Sequence, residues 1–519
     1  MFSRRESKAE TYFRDATPEV QTQKTPPNQN RLGGFLDLVL SATHTEDSRG
    51  DSNVLDRFLA EPDDLKSLSI LFGNLQGLTK ADILTSLNVC IADIDQLVGK
   101  QLDLVLHHED FQALEAAWRG IVYLIEQKER SASDNIQIRM LDASWKELDG
   151  DIGDATEFDQ SHLFKLVYEN EFGMAGGTPY GVLIGNYALR PHPQDYFLIE
   201  QIAGIAAASF CPFITSVSPE FFGTVDFSDL ESVRDLGAIF EQPEYIPWRS
   251  FRESDDSRYV GLALPRVLMR QPYQDDGSKE FGFRYRENVD GRTKRKYLWG
   301  NAAFAFGEVL IRAFGESSWL ANIRGVHRNE ESGGIVTGLP VSSFGTDRFG
   351  VAPKTSTDAV IVDELEKEIS DLGFLPLCDC HDTEYSAFYS NESAQKAKGY
   401  SDPAITRNAR ISKMLQYMFC SSRFAHYLKV LARDKLGSLY EPADLERYLQ
   451  EWIAGYVTAD TDADRDVKAR YPLREALIEV RSHPGNPGSL LSSFKLLPHF
   501  ELDELQAAVR LQTKFKTKN

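Results

Sequence analysis

The chain is short of cysteine, of positive charge and of long apolar runs, and each shortage excludes a class of protein. Five cysteines thinly spread over 519 residues, an odd number, make no disulfide framework and fit a reducing, cytoplasmic setting. No apolar run approaches the roughly 18 residues of a membrane span, so direct membrane insertion is not expected. The opening MFSRRESKAETYF lacks the apolar centre of a signal peptide. Lys and Arg number 57 against 78 Asp and Glu, a formal charge of −21. Such a surface repels nucleic-acid phosphates and anionic lipid. The single short basic run, Arg292–Lys296 (RTKRK), reads as a solvated turn, so nucleic acid is not an expected partner.

Catalytic and cofactor motifs are scarce as well. Four glycines fall between Gly173 and Gly181, ahead of the apolar Val182–Leu183–Ile184. A phosphate-cradling Walker loop would need a lysine and a hydroxyl after the last glycine, but Val182 and Leu183 stand there. The dinucleotide fingerprint runs strand, glycines, helix, whereas here a helix precedes and a strand follows. A helix end at Gly173, with positive φ at Gly176 and Gly177 and Pro179 fixing the strand entry, accounts for the cluster. Leu377–Tyr385 (LCDCHDTEY) offers Cys378, Cys380, His381 and Asp382, but on a strand His381 points away from the two thiols. Buried thiols are the expected reading. Asp460–Asp466 has Arg465 where a calcium loop needs glycine and Tyr471 where it needs a bidentate glutamate. His107–His108–Glu109 is not a zinc-protease motif, since Gln112 replaces the second histidine. No nucleophile elbow occurs. No catalytic, cofactor or metal residue is therefore assigned, and no enzyme is expected.

What is present is an ordinary globular composition, 42% hydrophobic and 26% charged, long enough for two or three packed units. Residues 1–30 are polar and read as a mobile tail. LGGFLDLVL then opens the ordered chain, with HTEDSRGDSN as a loop. Residues 31–130 are mainly helical: Ile83, Leu87, Ile91, Ile94, Leu97, Leu102 and Leu106 form an apolar stripe, and Asp110 is the expected N-cap of a second helix. The stripe suits core and partner docking equally. Residues 131–327 alternate strand and helix signals, a mixed α/β body. Strands are expected around Ile136–Met140 and Tyr180–Tyr187, and helices over Leu163–Glu169 and after Pro193. The segments RYVGLALPRVLM, FGFRYREN, NAAFAFGEVLIRAF and WLANIRGV continue the alternation to about residue 327. Residues 328–519 hold two amphipathic helices, SRFAHYLKVLARDKLG and EPADLERYLQEWIAGYV, and a terminal hairpin of Ala476–Val480 and Ser489–Leu497 around RSHPGNPG.

Seven blocks, in order from about residue 35 to the C-terminus, together resemble one family. They are HHEDFQALEAAWRGIVYL, FDQSHLFKLVYENEFGMAGGTPYGVLIGNY, PEYIPWRSFRESDDSRYVGLALPRVLMR, YLWGNAAFAF, IRGV, CSSRFAHYLKVLARDKLGS and LPHFELDELQAAVRL. The family is the large subunit of the bacterial type VI secretion contractile sheath (TssC/VipB). The resemblance implies a structural protein with a contractile-tail-sheath-like α/β fold. It implies pairing with a small sheath subunit of TssB/VipA type and helical polymerisation around an inner tube of Hcp-type hexameric rings. It also implies attachment to a baseplate and disassembly by a ClpV-type AAA+ ATPase that recognises a helix near the N-terminus. Ala42–Gly73 departs from the family and the tail before Arg31 is only loosely alike, so the ATPase contact is the weakest carry-over.

Two site expectations follow. Leu477, Ile478, Val480, Phe494 and Leu496 lie in the sheet through which the family's neighbouring subunits add strands to one another. Asp444, Glu446 and Glu451, on a polar side of their helix, meet the inner tube. A soluble baseplate or adaptor component, or a cytoplasmic α/β hydrolase, are the alternatives.

Overall fold

The computed structural model describes residues 54–499 apart from 74–78, 132, 175, 234, 276, 278–281, 290–293, 327–330, 343–354, 381–382, 384, 402, 436–440, 461–462 and 483–489. The expected tail, the segment LGGFLDLVL and the loop HTEDSRGDSN lie outside the described residues. The chain divides into two units, one of residues 1–101 and 277–285, the other of 102–276 and 286–519.

The described residues 54–101 of the first unit are mainly helical. Helix α1 spans Val54–Ala60 and α2 spans Asp64–Phe72, where the Asp63 carboxylate caps the Leu65 amide. Helix α3, Lys80–Leu106, starts on a reciprocal cap: the Thr79 amide donates to Asp82 at 2.8 Å and the Asp82 amide to the Thr79 hydroxyl at 3.3 Å, two orphan donors satisfied at once. None of the described residues of this unit is buried, and Leu84, Val89, Ile91, Ile94 and Val98 of α3 are exposed.

In the second unit the chain turns at His107–His108 and continues as α4, Glu109–Ser131. Asp110 is thus inside the first helical turn and is not the cap; its charge still suits the helix N-terminus. Four strands, β1 (Leu183–Leu189), β2 (Phe213–Val217), β3 (Val260–Leu264) and β7 (Leu375–Pro376), form a parallel sheet in the order β1-β2-β3-β7. Parallel sheets are covered on both faces, and strand alternation sorts the covering. Phe213, Val217, Leu262 and Leu264 pack with helix α5 (Pro193–Ser209) in an aromatic-rich core that includes Phe221, Trp248 and Phe374. Ile214 and Ala263 face the other way and pack with α6 (Ala302–Ser317) and α4. The remaining short strands are β4 (Val267–Arg270), β5 (Leu298–Gly300), β6 (Ile335–Val336), β8 (Cys378–Asp379) and β9 (Ser386–Ala387).

A third core closes the C-terminal part. Helices α7 (Leu415–Lys435) and α8 (Pro442–Ala454) and the hairpin strands β10 (Leu473–Ser482) and β11 (Leu490–Pro498) enclose Phe424, Leu445, Leu449, Ile453, Ile478 and Val480. Trp319 stacks on Phe424 with ring centroids 4.0 Å apart.

The chain is a mixed α/β protein, with local departures from the sequence expectation. Ile136–Met140 forms no strand; Ile138 and Met140 are exposed, so their alternation with polar neighbours did not mark a half-buried face. The helix expected over Leu163–Glu169 begins at His162 and widens at Lys165 into a π-helix that ends at Gly173, a rare geometry that no residue pattern announces. Strand β10 extends beyond its expected limits at both ends, and β11 runs one residue further than expected, to Pro498.

Candidate functional site

The candidate site is a set of surfaces, and the hairpin is its centre. Strands β10 and β11 pair antiparallel with Ile478 opposite Phe494 and Val480 opposite Ser492. Among the described residues their sheet has two strands. Ile478 and Val480 are buried, Phe494 and Leu496 pack against the same core, and Leu477 is exposed on the outer face. The structure thus brings all five expected residues into one hairpin, four facing its core and one facing away.

The outer edge of β10 is occupied. The Ile478 amide donates to Gln450 Oε1 at 2.9 Å, Gln450 Nε2 donates to the Ala476 carbonyl at 3.0 Å, and the Val480 amide donates to Glu446 Oε2 at 2.9 Å. In an antiparallel ladder, groups pointing to the partner and away from it alternate. With Ile478 and Val480 pointing away from β11, their opposite numbers Phe494 and Ser492 point away from β10. Among the described residues nothing bonds the main chain of Ser492, Phe494 or Leu496 along that edge.

This geometry separates the three expected inner-tube acids. Asp444 pairs with Arg447 at 3.2 Å, and Glu451 is exposed. Seven residues apart, they share one side of α8. Glu446 departs from that side, turned across the helix to β10, because two residues from Asp444 correspond to about 200° of rotation.

A second surface lies on α4. Ala116, Gly120, Tyr123 and Leu124 are buried toward α6, while Phe111, Leu114, Trp118, Val122 and Ile125 are 37%, 57%, 55%, 49% and 42% exposed. Their spacing of three and four residues is that of one helix face. Such a row, with an exposed tryptophan in the middle, marks an interaction surface. The stripe on α3 is legible in the sequence, whereas this row is masked by the apolar residues on the opposite, buried side of α4.

The rejected motifs are internal structure. Gly176 has φ +83°, while Gly177 is required by contact: a Cβ there would lie 2.4 Å from the Glu171 carbonyl oxygen. Gly177 itself is not at positive φ. The Glu171 carboxylate accepts from the Thr178 amide at 2.9 Å and pairs with Arg139, so an acid occupies the loop amide a phosphate would need. The Thr178 amide holds the Glu171 carboxyl below its usual range. Cys378 is buried with its thiol pushed up by burial, and Cys380 Sγ lies 3.8 Å from the Tyr389 hydroxyl. In the basic run, Lys294 donates to the Asp358 carbonyl at 2.6 Å, Arg295 pairs with Asp226 at 3.3 Å and Lys296 donates to the Asn288 carbonyl at 3.2 Å. No helix among the described residues is long and apolar enough to cross a membrane.

Comparison with known proteins gives two family matches. Residues 88–395 match the family model described as EvpB/VC_A0108, tail sheath N-terminal domain, and residues 404–515 match the EvpB/VC_A0108 tail sheath gpW/gp25-like domain. The type VI secretion system sheath protein TssC1 of Pseudomonas aeruginosa is 42% identical over 438 residues, 83% of this chain and 86% of that protein. Among solved structures, the cryo-EM structure of the anti-feeding prophage baseplate aligns with a TM-score of 0.32 and 9% identity, spanning 59% of this chain and 63% of that one.

Proposed function

As a member of the VipB tail sheath family the chain is a structural sheath subunit of a type VI secretion system, and we propose that it forms the sheath by pairing with a small sheath subunit and by exchanging strands between neighbours. The observation that carries this reading is the apolar row Phe111, Leu114, Trp118, Val122 and Ile125, exposed on a well-packed helix. Water-exposed apolar rows of this length are covered in the working state of a protein, and a heterodimer partner supplies the cover. The first helices, within the region 31–130, serve the same docking role, which accounts for a 27-residue helix α3 on which Leu84, Val89, Ile91, Ile94 and Val98 are exposed.

The hairpin then links heterodimers. Its free β11 edge accepts an extended strand of a neighbouring subunit by β-augmentation, and head-to-tail repetition of such a contact generates a helical tube. Asp444 and Glu451 face the basic residues of an inner tube. Contraction, attachment to a baseplate and recovery by an AAA+ ATPase complete the cycle in the bacterial cytoplasm. The function needs interfaces and no catalytic pocket.

Co-purification with a small sheath subunit tests the pairing. The wild-type chain is expected to co-elute in equimolar amount, and Trp118→Glu to lose the partner while keeping its own fold. Equal retention by Trp118→Glu contradicts the docking face.

A further inference from the structure

We infer that Glu446 and Gln450 are edge guards: they close the β10 side of the hairpin and so direct strand addition in the sheath to β11 alone. The inference rests on the sheath reading above and concerns how the hairpin chooses its edge.

An exposed strand edge is a row of unpaired donors and acceptors that pairs with any other strand available. A hairpin has two such edges, and a filament that grows by strand exchange needs one. Here helix α8 lies along β10 and supplies a side-chain substitute for a third strand. The spacing makes this possible. Residues four apart on a helix rise by about 6 Å, and alternate residues of a strand by about 6.8 Å. Glu446 and Gln450 therefore reach successive outward groups of β10. Gln450 acts as a peptide unit would, its Oε1 accepting from the Ile478 amide at 2.9 Å and its Nε2 donating to the Ala476 carbonyl at 3.0 Å. Glu446 accepts from the Val480 amide at 2.9 Å. An approaching strand would have to displace all three bonds.

The guards are themselves held. Leu445, Leu449 and Ile453 are buried in the hairpin core and fix the rotation of α8, so residues 446 and 450 have no free choice of direction. The opposite edge has no such cover among the described residues. The asymmetry belongs to the subunit before assembly.

Residue-resolved hydrogen exchange on the full chain tests this without altering a residue. In the unassembled chain the Ile478 and Val480 amides are expected to exchange at least tenfold more slowly than those of Ser492 and Phe494. On assembly with the small sheath subunit, Ser492 and Phe494 gain protection while Ile478 and Val480 do not change. Fast exchange at Ile478 and Val480 before assembly, or their gain of protection upon it, overturns the guard. The double variant Glu446→Ala/Gln450→Ala is expected to self-associate laterally in sedimentation, and Glu446→Gln, which keeps the acceptor oxygen, to remain as the wild type. A double variant that stays unassociated with unchanged exchange also overturns it. If the wild type makes no tubes, the sheath reading fails, while the exchange pattern of the unassembled chain still decides the guard.

Discussion

Gly120 of α4 lies against the ring of Phe304 in α6, so closely that a Cβ at residue 120 would come within 2.3 Å of a ring carbon. The contact sets the distance between two helices and, with it, the direction of the opposite side of α4. Trp118 is two residues away and therefore roughly on the reverse face, where it is exposed.

Gly120→Ala is expected to destabilise the chain by about 1–3 kcal/mol, the usual cost of overpacking a core, read as a lowered urea midpoint. Phe304→Leu in the same chain relieves part of the loss. Additive effects of the two changes would contradict the contact.

Trp118→Glu has the opposite signature. Its side chain leaves no core cavity, so the urea midpoint stays within about 0.5 kcal/mol of the wild type, while binding of the small sheath subunit weakens by at least tenfold, about 1.4 kcal/mol. Isothermal calorimetry and denaturation together separate a docking residue from a structural one.

Phe494→Pro and Ile478→Pro differ in what they remove. Proline at 494 takes away an amide that points from β11 to the open edge, which leaves the hairpin's own ladder intact. The heterodimer is expected to form and tube assembly to fail. Proline at 478 removes the amide held by Gln450 and a side chain that is fully buried where Phe494, on the same face, is half-buried, so the larger loss of stability is expected there. Normal tubes from Phe494→Pro would contradict strand addition at β11.

His426 gives a pH dependence. Burial holds its pKa down to about 4 against a usual 6.5, and Nε2 lies 2.8 Å from the Ser209 carbonyl. A lowered histidine pKa means that the unfolded chain takes up the proton first. From pH 6.5 down to about 4, acidification therefore costs stability, up to about 1.4 kcal/mol per pH unit for one proton. His426→Gln keeps an N–H donor and does not titrate, so urea midpoints of wild type and variant are expected to converge or cross as the pH falls. Parallel curves would contradict the assignment.

Helix α8 was legible in the sequence because its apolar stripe meets one core, α5 because Pro193 is followed by small apolar residues suited to a buried helix, and the hairpin because two apolar runs flank RSHPGNPG. Ile136–Met140 was not, since alternation gives a strand only where a neighbouring strand is available. The Gly177 requirement was invisible too: it comes from the carbonyl of Glu171, which reaches the loop only because the helix before it widens. Leu477, Ile478, Val480, Phe494 and Leu496 are legible as members of one hairpin from their strand pattern. Glu446 reads in the sequence as lying on or near the polar side shared by Asp444 and Glu451, and the helix rotation that turns it to β10 separates them. Gln450 is uncharged, and its signal in the sequence is its place four residues after Glu446, beside the buried Leu449.

The central claim is that this chain builds a sheath with a small partner subunit, and electron microscopy of the two co-expressed proteins tests it most directly. Long, regular tubes containing both chains are the predicted result. Monodisperse particles of this chain alone, with the partner present and unbound, would contradict it.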